Sequence, residues 1–203
     1  KNLPKNWDVF RAGEPITYTK YGETFTGNTR NTLTVTFEPE NSQCLWVLRS
    51  QDDTMYWLPP TTQESLPASN VDLIYSAALR PGYPNAAIFG AEPEHHWCYY
   101  FQKAELVRQS NDWQAITQLW DQAQAKGYSP QNTHEHLPFI EAFARTAEWQ
   151  NAQEISENAA RLNLHAPEYL CALWSEFKEI TPASAARDAA MHNIADELAC
   201  EQP

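Results

Sequence analysis

Glycine is scarce in this chain, at six residues of 203. That leaves little material for loops that cradle phosphates, and no GxGxxG, GxxxxGK[ST] or GxSxG pattern occurs. Cysteine is sparse as well. Cys44, Cys98, Cys171 and Cys200 lie far apart without a CxxC pair, so zinc-finger spacing is absent. The expected state is four buried free thiols, with one disulfide, of open pairing, if the chain works outside the cytoplasm. Basic residues number 14 against 26 acidic ones, a net charge of −12. This balance argues against nucleic acid or an anionic membrane surface as partner. No apolar run reaches the roughly 18 residues of a membrane helix. A signal peptide is not evident, and the first residue is Lys rather than Met, as expected of a truncated or processed chain.

Aromatics, in contrast, make up 12% of the chain and include 8 Trp. Such a composition folds, and the length suits one large domain or two small ones. The fold class read from the pattern is α+β, in three parts. A small antiparallel β region spans 1–52, a Pro-rich irregular connection 53–92, and a helical domain 93–203. In the first part, "PITYTKY" and "ETFTG" suit short strands. In "TLTVTF", Leu33, Val35 and Phe37 alternate with threonines, which predicts that these three face a core. "PENS" suits a turn, and "QCLWVL" a central strand apolar on both faces. All four are expected in one sheet over residues 14–49. In the connection, "NVDLIYSAAL" suits one short helix, and Trp57, Leu58, Ile74 and Phe89 call for burial.

From Pro93 onward the apolar period is helical: Trp97, Tyr100, Phe101, Ala104 and Val107 form one stripe. Asn111 or Asp112 can cap a second helix carrying Trp113, Ile116, Trp120 and Ala123, which Gly127 stops. A third helix opens at Asn132, spaced from Glu135 like a capping box, and carries Leu137, Ile140, Phe143 and Ala144. Trp149, Ala152, Ile155, Ala159 and Leu162 mark a fourth. Leu170, Leu173, Trp174 and Phe177 mark a fifth, and Thr181 with Pro182 opens a sixth. The helical tryptophans are all expected in the core.

"NDWQAITQLWDQA" and "AEWQNAQEISENA" superpose at a shift of 36 residues, with Trp113 over Trp149. Phe101, Ala104 and Val107 then fall over Leu137, Ile140 and Phe143. With Ile116, Ala123, Ala152 and Ala159 following the aromatic, residues 95–163 resemble tetratricopeptide repeats, with a third divergent pair to about residue 200. Departures are Asn-Asp and Ala-Glu where Gly-Asp is usual, and a late Pro130. The resemblance implies a concave face carrying Glu105, Arg108, Gln109, Glu141 and Arg145, able to hold a protein or peptide partner or another part of the parent chain. Glu105 with Arg108 and Glu141 with Arg145 also suit local ion pairs. More widely, "CLWVLRSQDDTMYWLPP" and "WCYYFQKAELVRQSNDW" resemble the soluble C-terminal region of uncharacterised bacterial multi-pass membrane proteins, some of them sugar-transferase-like. This implies an extracytoplasmic domain of a membrane-anchored protein and brings no catalytic residues.

The densest chemistry is "EPEHHWCYY". His95 and His96 open one helix as His134 and His136 open another, so four imidazoles at one rim could hold zinc or nickel. HExxH is absent, however, and ordinary polar helix ends are the expected state. Neither a metal nor a cofactor is expected. Cys98 as a nucleophile would need a histidine partner that the local sequence does not specify, and acidic pairs are too many to locate a glycosidase site. A sugar-stacking platform could be built from Tyr18, Tyr21, Trp46, Tyr56 and Trp57. The expected function is therefore a non-catalytic interaction domain. Its alternative is a carbohydrate-binding or glycosyltransferase-supporting domain.

Overall fold

The computed structural model describes residues 7–37, 44–50, 52, 58–74 and 85–200. Residues 7–37, 45–50, 52 and 58–74 make one compact unit; residue 44 and residues 85–200 make a second. The chain is thus α+β, with antiparallel strand pairs in its N-terminal part followed by many helices.

The first unit opens with α1 (Trp7–Gly13), then β1 (Pro15–Lys20) and β2 (Glu23–Asn28). Lys20 pairs Glu23 across a two-residue turn in which Tyr21 and Gly22 both have positive φ, at 54° and 83°. That is the hairpin turn whose twist matches its strands, and glycine takes its second position without strain. Ile16, Tyr18 and Phe25 share one face and four threonines the other, with Thr19 and Thr24 hydroxyls 3.0 Å apart. β3 (Thr34–Thr36) and β4 (Trp46–Leu48) form a separate antiparallel pair, so the strands expected in one sheet form two.

The parity of β3 is the reverse of the expected one. Thr34 is buried, while Leu33, Val35 and Phe37 are exposed. Thr34 tolerates burial because its hydroxyl donates to the Ser65 carbonyl at 2.9 Å, and its amide to the Ser69 hydroxyl at 3.1 Å. The apolar burial comes instead from Trp46 and Leu48 on β4, from Leu58, and from Leu66 and Ala68 beyond α2 (Pro60–Ser65). β4 is fully buried on one face only: Val47 on the other face is half-buried, and Leu45 just ahead of the strand is exposed. Of the connection's apolar residues, Leu58 is buried, Ile74 half-buried and Phe89 exposed. Trp57 lies outside the described residues. "NVDLIYSAAL" contributes one 3-10 turn, Val71–Leu73, and residues 75–79 of it lie outside the described set.

The second unit holds α3 (Ala86–Phe89), α4 (Trp97–Arg108), α5 (Trp113–Ala125), α6 (Leu137–Arg145), α7 (Trp149–Ala160), α8 (Ala166–Ile180) and α9 (Ala185–Glu197). α5, α7 and α9 begin at 113, 149 and 185, two steps of 36. The turns share the step: Asn111 before α5 and Ala147 before α7 both have positive φ, at 56° and 62°. A 3-10 turn, Thr133–His136, leads into α6, and it begins 36 residues after Trp97. Buried residues follow the expected stripes on α4 through α8, except that Val107 and, on α5, Trp113 and Trp120 are half-buried, and Leu162 is exposed. α6 goes further: every residue from Leu137 to Ala144 is buried.

Helix ends show where polar residues compete. Asp112 caps α5 by accepting from the Ala115 amide, and Gly127 (φ 75°) follows its end as expected. α4 starts at Trp97 instead of Pro93, with His96 before its first turn. The capping box of Asn132 with Glu135 does not form; the Glu135 carboxylate accepts from the Gln131 amide at 2.8 Å. α9 is capped by Ser184, not Thr181. The Thr181 hydroxyl donates back to the Phe177 carbonyl at 2.5 Å and so completes α8. Buried Arg187 donates to the Thr181 carbonyl at 3.0 Å, placing a cation where α8 ends.

No cysteine is free. Cys44 pairs with Cys98, and Cys171 on α8 with Cys200 beyond α9. Free thiols were the local expectation because partners 54 and 29 residues apart leave no trace in sequence spacing.

The two repeat tryptophans differ in surroundings. Trp149 is buried and packs against Trp174, ring centroids 6.2 Å apart. Trp113 is half-buried, with the Arg145 guanidinium 5.0 Å from its ring. Trp149→Ala should therefore lose about 3–5 kcal/mol of stability and Trp113→Ala about 1–2 kcal/mol. Urea denaturation of both variants measures this, and equal losses would contradict the difference in packing.

Candidate functional site

Glu105, Arg108, Glu141 and Arg145 form one connected ladder across α4 and α6. Arg108 Nε donates to Glu141 Oε2 at 2.6 Å, and its second fork nitrogen pairs with the same carboxylate. Its third nitrogen pairs with Glu105 at 3.3 Å. Glu141 Oε1 accepts from Arg145 at 3.4 Å, and Arg145 also donates to the Ile180 carbonyl at 3.3 Å. Both expected local pairs are present, and Arg108 joins them. The helix face also differs from an open wall: the Arg108 and Glu141 side chains are each 10% exposed. Arg145 is 27% exposed at the end of the ladder, held by long bonds, and exposed Gln109 caps α4 nearby in sequence. A cation that shielded from water needs its carboxylates, so Arg108 is a structural member of the ladder. The Arg145 side of the ladder is the part from which a carboxylate could be held.

One signal could have revealed the cross-helix bond. Glu105 and Glu141 stand 36 residues apart, at equivalent places on neighbouring first helices. An arginine one turn from Glu105 therefore reaches both.

The histidine-rich stretch divides into several environments. His95 stacks on Tyr99 at 3.6 Å and pairs with Glu92 at 2.7 Å. His96 meets the edge of Tyr128, 5.6 Å between centroids. His134 and His136 are not polar helix ends. Both are buried, His134 against Phe101 and His136 against Trp120, where the His136 ring nitrogen Nδ1 lies 3.0 Å from the Asn132 carbonyl. Burial pushes the His134 imidazole down to about 3, with His136 adding repulsion, and pushes His136 down to about 4. Both are therefore neutral at pH 7. Among the described residues no three His, Cys, Asp or Glu side chains gather as metal ligands would.

Beside this stretch lies a pocket of about 280 Å³ lined by the Cys44–Cys98 bridge, His96, Trp97, Tyr128 and Glu135 among others. Glu135 is fully buried and accepts from the Trp97 indole at 2.7 Å, a bond across 38 residues that no local pattern announces.

Of the sugar-platform residues, Trp46 is buried at 3% exposure and offers no face for stacking. Tyr18 and Tyr21 are exposed on the hairpin, and Tyr56 and Trp57 lie outside the described residues. Among the described residues no helix is long and apolar enough to cross a membrane. Comparison with known proteins adds no relative: no family model, no curated protein and no solved structure matches this chain.

Proposed function

We propose that this chain is a non-catalytic interaction domain made of TPR-like helical hairpins, and that it holds a protein or peptide segment through a carboxylate. The observation that carries the reading is the 36-residue recurrence of helix starts at 113, 149 and 185, with left-handed turns at Asn111 and Ala147. Stacked hairpins of that period present a repeated face, which suits extended partners. The half-exposed Arg145, seated over Trp113 at 5.0 Å, offers a guanidinium for the partner's carboxylate and an aromatic for its neighbouring side chain. Two disulfides favour an oxidising compartment, in line with an extracytoplasmic domain of a larger membrane-anchored protein.

The test is a peptide library in which each sequence ends in a free carboxylate or in an amide. The oxidised protein should bind a subset of the free acids and lose about tenfold or more in affinity on amidation or on Arg145→Glu. Helical circular dichroism of the variant should be unchanged. No binding to any peptide, or binding indifferent to both changes, would contradict the reading.

A further inference from the structure

We propose that the Cys44–Cys98 bridge is a thiol–disulfide exchange site, opened by a dithiol that enters the adjoining pocket. Three observations mark this bridge, although Cys171 and Cys200 are each half-buried and Cys44 is not. First, both its cysteines line a pocket of about 280 Å³, room enough for a small dithiol, and that pocket is a way in to Cys44, which is otherwise buried at 3% exposure. Second, Cys98 is the second residue of the 12-residue α4, so a thiolate left there sits at the positive end of a helix. Cys171 lies in the interior of α8, and Cys200 follows the C-terminal end of α9, the negative end of that helix. Third, His96 stands exposed on the same pocket, a base for the entering thiol.

The chemistry follows from where charge is tolerated. A donor thiolate attacks the Cys44 sulfur, a donor–Cys44 disulfide forms, and the Cys44–Cys98 bond breaks. Cys98 leaves with the electron pair as a thiolate and takes up a proton. The donor's second thiol then attacks its own sulfur in the mixed disulfide and releases Cys44 as a thiol. The protein gains two electrons and two protons, and the donor departs as a disulfide. Opening removes the covalent link between Cys44 and Cys98.

Differential alkylation with peptide mapping tests this on the oxidised protein in dithiothreitol. Cys44 and Cys98 should become reactive at least about fivefold faster than Cys171 and Cys200, because the favoured leaving thiolate lowers the barrier. Helical circular dichroism should hold meanwhile. In reduced glutathione the trapped adduct should sit on Cys44. Equal rates, earlier opening of Cys171–Cys200, or opening only as helical signal is lost would each overturn the proposal. An adduct chiefly on Cys98 would overturn the assigned direction of attack.

Discussion

Acidification from pH 7 to pH 4 should strip about 6 kcal/mol from the stability of the helical unit, roughly 3 from each of His134 and His136. Both imidazoles titrate in the folded protein well below the ordinary 6.5, at about 3 and about 4. The unfolded chain therefore binds protons that the folded one refuses. Their contribution is complete above about pH 6.5 and is lost as the pH falls from there toward the folded values. The slope is about 1.4 kcal/mol per pH unit for each histidine. The cause is local: both imidazoles are buried, His134 beside the Phe101 ring and His136 beside Trp120, and lose solvation there. Urea denaturation at half-unit pH intervals gives the profile, and His134→Leu with His136→Leu should flatten it. A wild-type profile flat between pH 6.5 and 4.5 would show that the imidazoles are solvated.

Removal of the disulfides is the other large effect. The Cys44–Cys98 and Cys171–Cys200 bridges close segments of 54 and 29 residues. By the loop-entropy relation they restrict the unfolded chain by about 4 and about 3.5 kcal/mol. Cys44→Ser with Cys98→Ser should thus destabilise slightly more than Cys171→Ser with Cys200→Ser. The order is opposite to ease of reduction, which follows pocket access and leaving-group charge rather than loop length. Guanidinium denaturation of the two double variants measures both terms. Losses below about 1 kcal/mol in each would mean that the bridges constrain little.

The parts legible in the sequence are those governed by near neighbours. α4, α5, α7 and α8 show themselves because apolar residues recur at three and four, and Asp112 and Gly127 sit where a helix must begin and end. The step from Trp113 to Trp149 carried the repeat, and the structure extends the same step to Ala185, where no aromatic marks it. What escaped depends on partners distant along the chain. Parity in β3 turned on the Ser65 carbonyl and Ser69 hydroxyl, which let Thr34 replace an apolar neighbour inside. Thr181 and Ser184 are both competent caps, and only the fold shows that Thr181 is already committed to α8. "THEH" is polar in sequence and buried in space. The ladder lies between: its local pairs follow from spacing, while the Arg108–Glu141 bond needs the two first helices side by side.

The central claim is that a partner's carboxylate is held at the Arg145 end of the ladder. Nuclear magnetic resonance tests it most directly, by titrating the oxidised protein with a free-acid peptide selected from the library. The account predicts the largest shifts at the Trp113 indole N–H, the Arg145 side chain and the Gln109 amide, with Arg108 little changed. Shifts centred on Tyr18, Tyr21 and Phe25 of the β1–β2 hairpin, with Trp113 and Arg145 unmoved, would contradict it.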